Sequence, residues 1–268
     1  MEVRRLQLLR AAVDGGHAIG QVAGLSDAEL QELVRTPPAS ANNGPTEPGV
    51  PSDKPNLQPL LDAIAAFDSD TIDRELSKLA LLLSPADLVH QVVLPLMRLA
   101  GENWQNGTFT VAQEHMFSAC MRNLLGGLVR LHRTGNSTGR ILLTTPVDEL
   151  HEFGILAAAM LAVAQDFQVT YLGPNLPVHE ILAAAEKCAS DVVAVGIMKT
   201  NATPAVRGEM ARLASELPVP TELWAGGTGA ADVLAGVVRT GAFILDDLTD
   251  FERHLGRWKS GHSPGARP

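Results

Sequence analysis

The sequence predicts an α/β fold, a doubly wound five-stranded parallel sheet preceded by a four-helix bundle, and three observations carry that reading. After residue 138, five short runs of aliphatic and β-branched residues alternate with helical runs. From Leu60 to Leu131 the periodicity is helical throughout, with no strand-like run. Ahead of both, Thr36 to Pro59 is dense in Pro, Gly, Ser and Asn, which neither bury area nor sustain a regular ladder. Strands and helices alternating at this length imply a parallel sheet covered on both faces. The chain's 268 residues leave room for two modest domains, since compact domains run to roughly 100–150 residues.

In chain order, residues 3–34 read as two short helices, with Leu6, Leu9, Val13, Ile19, Val22 and Leu25 on the first apolar stripe. Ser26 stands three residues before Glu29, the spacing of a capping box. Four bundle helices fit at about 58–67, 70–83, 85–104 and 110–132, the third opened by Ser84-Pro85. Pro95 inside that helix predicts a kink. Strands are expected at 140–145, 168–172, 192–198, 221–225 and 242–245, with helices at 153–166, 178–189, 204–216, 229–239 and 247–257. The resulting domains are 1–35, a flexible linker at 36–57, the bundle at 58–134, the sheet domain at 138–258 and a disordered tail at 259–268.

Composition narrows the function classes. A formal charge of −9 repels phosphate backbones, so direct DNA binding is not expected, and the short basic end from Arg253 to Arg267 reads as solvated. No run approaches the roughly 20 apolar residues of a membrane span. The opening MEVRRLQLLRAAVDGGHAIG is charged and broken by a glycine pair, unlike a signal peptide, which predicts a cytoplasmic protein. Cys120 and Cys188 lack any metal-ligand spacing and are expected to be free thiols.

In a doubly wound sheet, ligands bind beyond the carboxyl ends of the strands, which directs attention to the loop after the first one. That loop reads Pro146-Val147-Asp148-Glu149-Leu150-His151-Glu152-Phe153-Gly154. A lone histidine in a polar loop is ordinarily just solvated. Here the spacing Glu-x-His-x-x-Gly lets Glu149 accept a hydrogen bond from one imidazole nitrogen while the other faces a metal. Gly154 would open the following helix and permit close approach. One histidine is too few for a protein-held zinc, and it suffices where a macrocycle supplies four nitrogens.

On these residues the sequence resembles the cobalamin-binding domain shared by methionine synthase, corrinoid methyl carriers, mutases and CarH-type photoreceptors. Their fingerprint is Asp-x-His-x-x-Gly, a small-residue strand end, then Gly-Gly. Glu149, His151 and Gly154 match it, followed by Gly196 after the third strand and Gly226-Gly227 after the fourth. Glu in place of Asp is the variant associated with the photoreceptor branch, and Gly196 stands where a serine is often found. The resemblance implies a flavodoxin-like fold. It also implies a base-off cobalamin with His151 as lower axial ligand to cobalt, its nucleotide tail in a slot lined by the glycines.

A second constellation is Trp104, nine residues, then Glu114-His115. Taken alone, the tryptophan could be core and the Glu-His pair could complement a helix dipole. On a four-helix unit directly before such a domain, the spacing resembles the cap of CarH-like proteins. There the resemblance implies that Trp104 lies over the upper face against an adenosyl group, Glu114 and His115 hydrogen-bond it, and Val111 leaves it room. CarH-like proteins carry a histidine directly after the tryptophan that takes the upper position once light removes adenosyl. This chain has Gln105, which implies a lit state ligated either by water or by another histidine such as His115.

The opening segment resembles the last helices of a MerR-type DNA-binding domain, and the winged helix-turn-helix that precedes them is expected to be missing. The architecture also resembles the photocobilins, short CarH relatives with a bilin beside the cobalamin, which implies biliverdin as a non-covalent second chromophore. The expected function is therefore a non-enzymatic light-sensing module. It would bind adenosylcobalamin and change conformation or assembly when light cleaves the cobalt–carbon bond. A homodimer and a protein effector are the expected partners, with no direct DNA contact and no membrane. The rival readings are a corrinoid methyl carrier of a methyltransferase system and a cobalamin-dependent transcriptional regulator or antirepressor.

Overall fold

A computed structural model describes residues 8, 26–35, 55–131, 137–237 and 239–262. The expected first helix of the MerR-like segment falls outside the described residues apart from residue 8, as do most of the 36–57 linker and the end of the tail from 263. Within them, helix α1 spans Asp27–Arg35. Its start is the reciprocal capping box expected from sequence, with Ser26 N donating to Glu29 Oε2 at 2.7 Å and Glu29 N to Ser26 Oγ at 3.4 Å.

The bundle comprises α2 (Gln58–Ala65), α3 (Ser69–Leu82), a long composite helix α4, and α5 (Val111–Leu131). Helix α4 begins as Pro85–Asp87, widens to a π segment at Leu88–Val93 and continues as α-helix over Leu94–Gln105. The π segment answers the question set by Pro95. Leu94 N donates to Val89 O, five residues back, and the wider turn relieves the clash a proline ring makes with the carbonyl four residues before it. The expected kink is thus absorbed as one extra residue in a turn. Ser84 Oγ accepts from Asp87 N at 3.1 Å and caps the start. Leu60, Ile64, Ile72, Leu76, Leu96, Phe117, Met121 and Leu125 fill the bundle core.

The second half is a five-stranded sheet in the order β2-β1-β3-β4-β5, every neighbouring pair parallel. Its strands are β1 (Gly139–Pro146), β2 (Phe167–Leu176), β3 (Val192–Gly196), β4 (Glu222–Gly226) and β5 (Ala242–Leu245). The crossovers are α6 (Phe153–Ala164), α7 (Val178–Lys187), α8 (Pro204–Glu216) and the short α9 (Ala230–Val233), and α10 (Leu248–Gly261) closes the chain. Alternating strand residues feed two cores, as the pleat requires. Ile141, Leu143, Val192, Ala194 and Trp224 face α6 and α10, whereas Leu142, Val193, Val195, Leu223 and Ala225 face α7, α8 and α9.

Helix α6 is apolar all round, with every residue from Ile155 to Val163 buried. It lies between the sheet and the bundle, joining the sheet core through Ala157 and Met160 and the bundle core through Leu156. Each such large apolar side chain contributes about 1.5–3 kcal/mol by leaving water. This shared helix fixes the bundle over one face of the sheet, above the β1–β3 switch point where sheets of this order bind ligands.

Three boundaries differ from expectation by four residues or more. The helix expected at 229–239 stops at Val233, because Gly236 turns the chain at φ +82° and Arg239 pins the next segment to carbonyls of Ala214, Leu217 and Thr221. Strand β2 runs to Leu176, beyond the expected 172, held by Thr144 Oγ1 donating to Gly173 O at 2.7 Å. Helix α10 continues to Gly261, so the tail expected from 259 begins as helix. Trp258 packs against Phe167 at 5.3 Å and His262 stacks on it at 4.0 Å, which holds that last turn in place. Among the described residues no helix is long and apolar enough to cross a membrane.

Candidate functional site

A cavity of about 990 Å³ separates the bundle from the carboxyl edge of the sheet. Of the residues singled out from sequence, Trp104, Val111, Glu114, His115, His151, Gly154, Gly196, Gly226 and Gly227 all line it. Glu149, the tenth, stands behind His151 rather than on the wall.

The sheet-side wall is held by hydrogen bonds. Strand β1 ends in buried Thr144 and Thr145, and Thr145 Oγ1 donates to Glu149 O at 2.5 Å, folding the loop back on its own strand. Glu149 is 0% exposed. Its Oε1 receives His151 N at 2.9 Å and lies 2.6 Å from His151 Nδ1, while Oε2 receives Met198 N from the loop after β3 at 2.7 Å. Burial alone pushes this carboxyl up. The Met198 N–H, the Asn201 side chain and the His151 backbone and ring outweigh it together and hold the group below its ordinary value. An ionised Glu149 fixes the proton on Nδ1, which leaves the Nε2 lone pair available on a ring 63% exposed at the cavity wall.

The glycines divide by cause. A Cβ at Gly154 would meet nothing within 4 Å, so this position at the start of α6 is open space on the cavity side. Gly227 is demanded by the backbone itself, with φ +92° and a Cβ that would fall 2.4 Å from Ile197 O. At Gly196 and Gly226 a Cβ would meet neighbours at ordinary distances of 3.4 and 3.7 Å.

The bundle-side wall is set by the start of α5. Thr110 N donates to Gln113 Oε1 at 2.7 Å, Gln113 N to Thr110 Oγ1 at 3.3 Å, and Gln113 Nε2 to Ala65 O at 2.7 Å. This box places Val111, Glu114 and His115 in one helical turn on the cavity. Trp104, near the end of α4, is 48% exposed beside them. Glu114 accepts Ser118 Oγ at 2.5 Å, and the 75%-exposed His115 ring lies 3.8 Å from the Glu114 carboxylate.

Sequence reasoning missed the groups that secure this frame. Asn201 and Met198 grip Glu149 from a loop nearly fifty residues away. Glu152, adjacent to His151, accepts Arg122 Nε of α5 at 2.5 Å and Tyr171 Oη of β2 at 2.5 Å. No local pattern announces either network, because the partners come from separate elements.

Among the described residues no three His, Cys, Asp or Glu side chains are grouped to hold a metal ion. For His151 to ligate one, the remaining donors must come with the ligand. A planar macrocycle meets that condition, and the open space at Gly154 leaves the cavity side of α6 clear for one.

Residues 57–128, the helical bundle, match the family described as B12 binding domain. The chain is 28% identical over 256 residues to the HTH-type transcriptional repressor CarH of Myxococcus xanthus, covering 95% of this chain and 84% of that protein. It is 25% identical over 226 residues to the repressor CarA of the same organism, covering 83% and 72%. Among solved structures, the Methanosarcina barkeri monomethylamine corrinoid protein superposes with a TM-score of 0.58 at 17% identity, over 74% of this chain and 96% of that one, a likeness of fold. The chain is thus similar to CarH and CarA along most of its length, and its bundle matches a B12 binding domain.

Proposed function

We propose that this chain is a cytoplasmic light-sensing module that holds adenosylcobalamin between bundle and sheet, base-off, with His151 as the lower ligand to cobalt. One observation carries the reading: an imidazole braced by a buried carboxylate faces a cavity whose opposite wall presents Trp104, Glu114 and His115. When bound, the cofactor supplies a cobalt–carbon bond that light can break.

The chain's own residues do the rest. Glu149 keeps the Nδ1 proton in place so that Nε2 is the donor atom. Gly154, Gly196 and Gly226 leave width along the sheet edge for the nucleotide tail, and Gly227 lets the chain turn there. Trp104 and Val111 cover the upper group while Glu114 and His115 offer it hydrogen bonds. Contacts to that group would lie on the bundle side, so a cap with it and a cap without it would differ in affinity for the ligand. Shifting such an equilibrium from 1:99 to 99:1 takes about 5.5 kcal/mol of differential binding. The output in this reading is a change of self-association, with a dimer as the assembled state, or of grip on a protein effector. It requires no turnover and no direct DNA contact, and biliverdin is its second, non-covalent chromophore.

The test is an absorption spectrum and a size-exclusion profile of protein reconstituted with adenosylcobalamin, taken in darkness and after green light. Both are expected to change, and identical profiles in the two conditions refute light sensing. Added biliverdin is expected to give a red-absorbing complex, and a gel shift at moderate salt is expected to show no DNA binding. The fold likeness to a corrinoid protein supports a second reading, a methyl carrier. Methyl transfer from methylated holoprotein to an acceptor enzyme would favour it.

A further inference from the structure

Glu152 sits one residue from His151 yet belongs to a different network. It is buried at the start of α6, with Oε1 on Arg122 Nε and Oε2 on the Tyr171 hydroxyl, each at 2.5 Å. Arg122 rides on α5, the helix whose first turn forms the opposite wall of the cavity, and its guanidinium lies 5.9 Å over the Phe153 ring. Tyr171 belongs to edge strand β2. One carboxylate therefore ties the histidine loop to the bundle on one side and to the sheet on the other. Burial, and then the carboxylate itself, push the Tyr171 hydroxyl far above its ordinary value, so it remains a donor.

The Glu149 contact orients the His151 ring but leaves the downstream backbone to other restraints. Residue 152 supplies them, through its side chain and through Leu156 N donating to Glu152 O at 2.9 Å. With Arg122 gone, a buried carboxylate keeps a single donor, and an under-solvated charge moves toward water and takes its backbone with it. We propose that Arg122, Glu152 and Tyr171 are positioning residues that set how far His151 reaches into the cavity, so that seating of the bundle and reach of the axial histidine change together. The inference rests on the corrinoid reading above for its consequence at cobalt, while the loop restraint itself is independent of any ligand.

The experiment uses the full chain with Arg122→Met, which keeps an apolar stem, and the near-isosteric Tyr171→Phe. In apoprotein, hydrogen exchange of the 147–154 backbone is expected to speed by about tenfold in Arg122→Met and less in Tyr171→Phe, with β3 unchanged. In protein loaded with cobalamin and reduced to Co(II), the nitrogen splitting in the electron paramagnetic resonance spectrum reads axial ligation directly. Labelling histidine with 15N separates imidazole from the cofactor's own base. The histidine-ligated share is expected to fall by at least half in Arg122→Met and to recover in part in Arg122→Lys. A purely structural role lowers stability without moving that share. An unchanged histidine share in Arg122→Met, or unchanged exchange at 147–154 in both variants, overturns the proposal. If the wild-type spectrum contains no histidine nitrogen, the corrinoid reading falls, and the exchange rates alone decide the loop restraint.

Discussion

On the sheet side of the cavity, Glu149 is wholly buried, both its oxygens accept hydrogen bonds, and the His151 ring it braces has one nitrogen committed and one free. On the bundle side, nearly half of Trp104 faces solvent, and the His115 ring, 75% exposed, lies 3.8 Å from the Glu114 carboxylate. The sheet wall has its geometry before any ligand arrives, fixed by parallel strands and a loop that bonds back to them. The bundle wall presents Trp104, Glu114 and His115 to the cavity from the end of one helix and the start of the next. On the proposed light-sensing function, the sheet half would grip and the bundle half would sense, because contacts made to the ligand's upper side are the ones whose loss can be felt.

The contrast can be broken from either side. His151→Ala removes the imidazole from the sheet wall and is expected to weaken cobalamin binding by more than about 100-fold, since loss of a partner behind a ligand already costs 10–100-fold. Absorbance titration with hydroxocobalamin measures it. Glu149→Gln preserves shape but not charge and is expected to cost about 10–100-fold in the same titration. Trp104→Ala, on the unfinished wall, is expected to cost less than about tenfold, equivalent to 1.4 kcal/mol, while abolishing the change of size on illumination. If Trp104→Ala weakens binding as much as His151→Ala, the division of labour fails.

The smallest effect concerns proton linkage within the sheet half. His254 lies edge-on to Trp224 at 4.5 Å and beside Phe243 at 4.4 Å. Burial holds its ring below the ordinary 6.5, against the pull of Glu222. The unfolded chain therefore binds more protons than the folded one, so this contribution is present above about pH 6.5 and is lost as pH falls. Urea unfolding is expected to show a loss of at most about 1 kcal/mol from pH 6.5 to 5.5, absent in His254→Leu.

What could be read in advance followed local chemistry. Buried parallel strands such as VVAVG announce themselves as unbroken apolar runs, and a strand followed by Glu-x-His-x-x-Gly points to the binding edge because the edge is fixed by topology. The Trp104 and Glu114-His115 spacing was legible only through its resemblance to the cap of CarH-like proteins, since taken alone it reads equally well as a core tryptophan and a charge pair at a helix start. Helix α9 was overread because the pull of Arg239 on carbonyls near the end of α8 is a long-range contact. The Arg122–Glu152–Tyr171 network escaped because Glu152 is 30 and 19 residues from its two partners in sequence and the three sit on separate elements.

The π segment ahead of Pro95 carries a consequence for how the two halves are geared together. Val89 packs into the sheet core, while Leu88, Val92 and Val93 pack into the bundle core, so one widened turn enrols a single helix in both. A residue corresponds to about 100° of helix rotation. Deleting one residue from Leu88–Val93 would remove the residue that the widened turn absorbs and leave Trp104 on its own face, whereas a deletion within the regular α-helix that follows, between Leu94 and Asn103, would swing Trp104 by that angle away from the cavity, like a cam rotated off its follower.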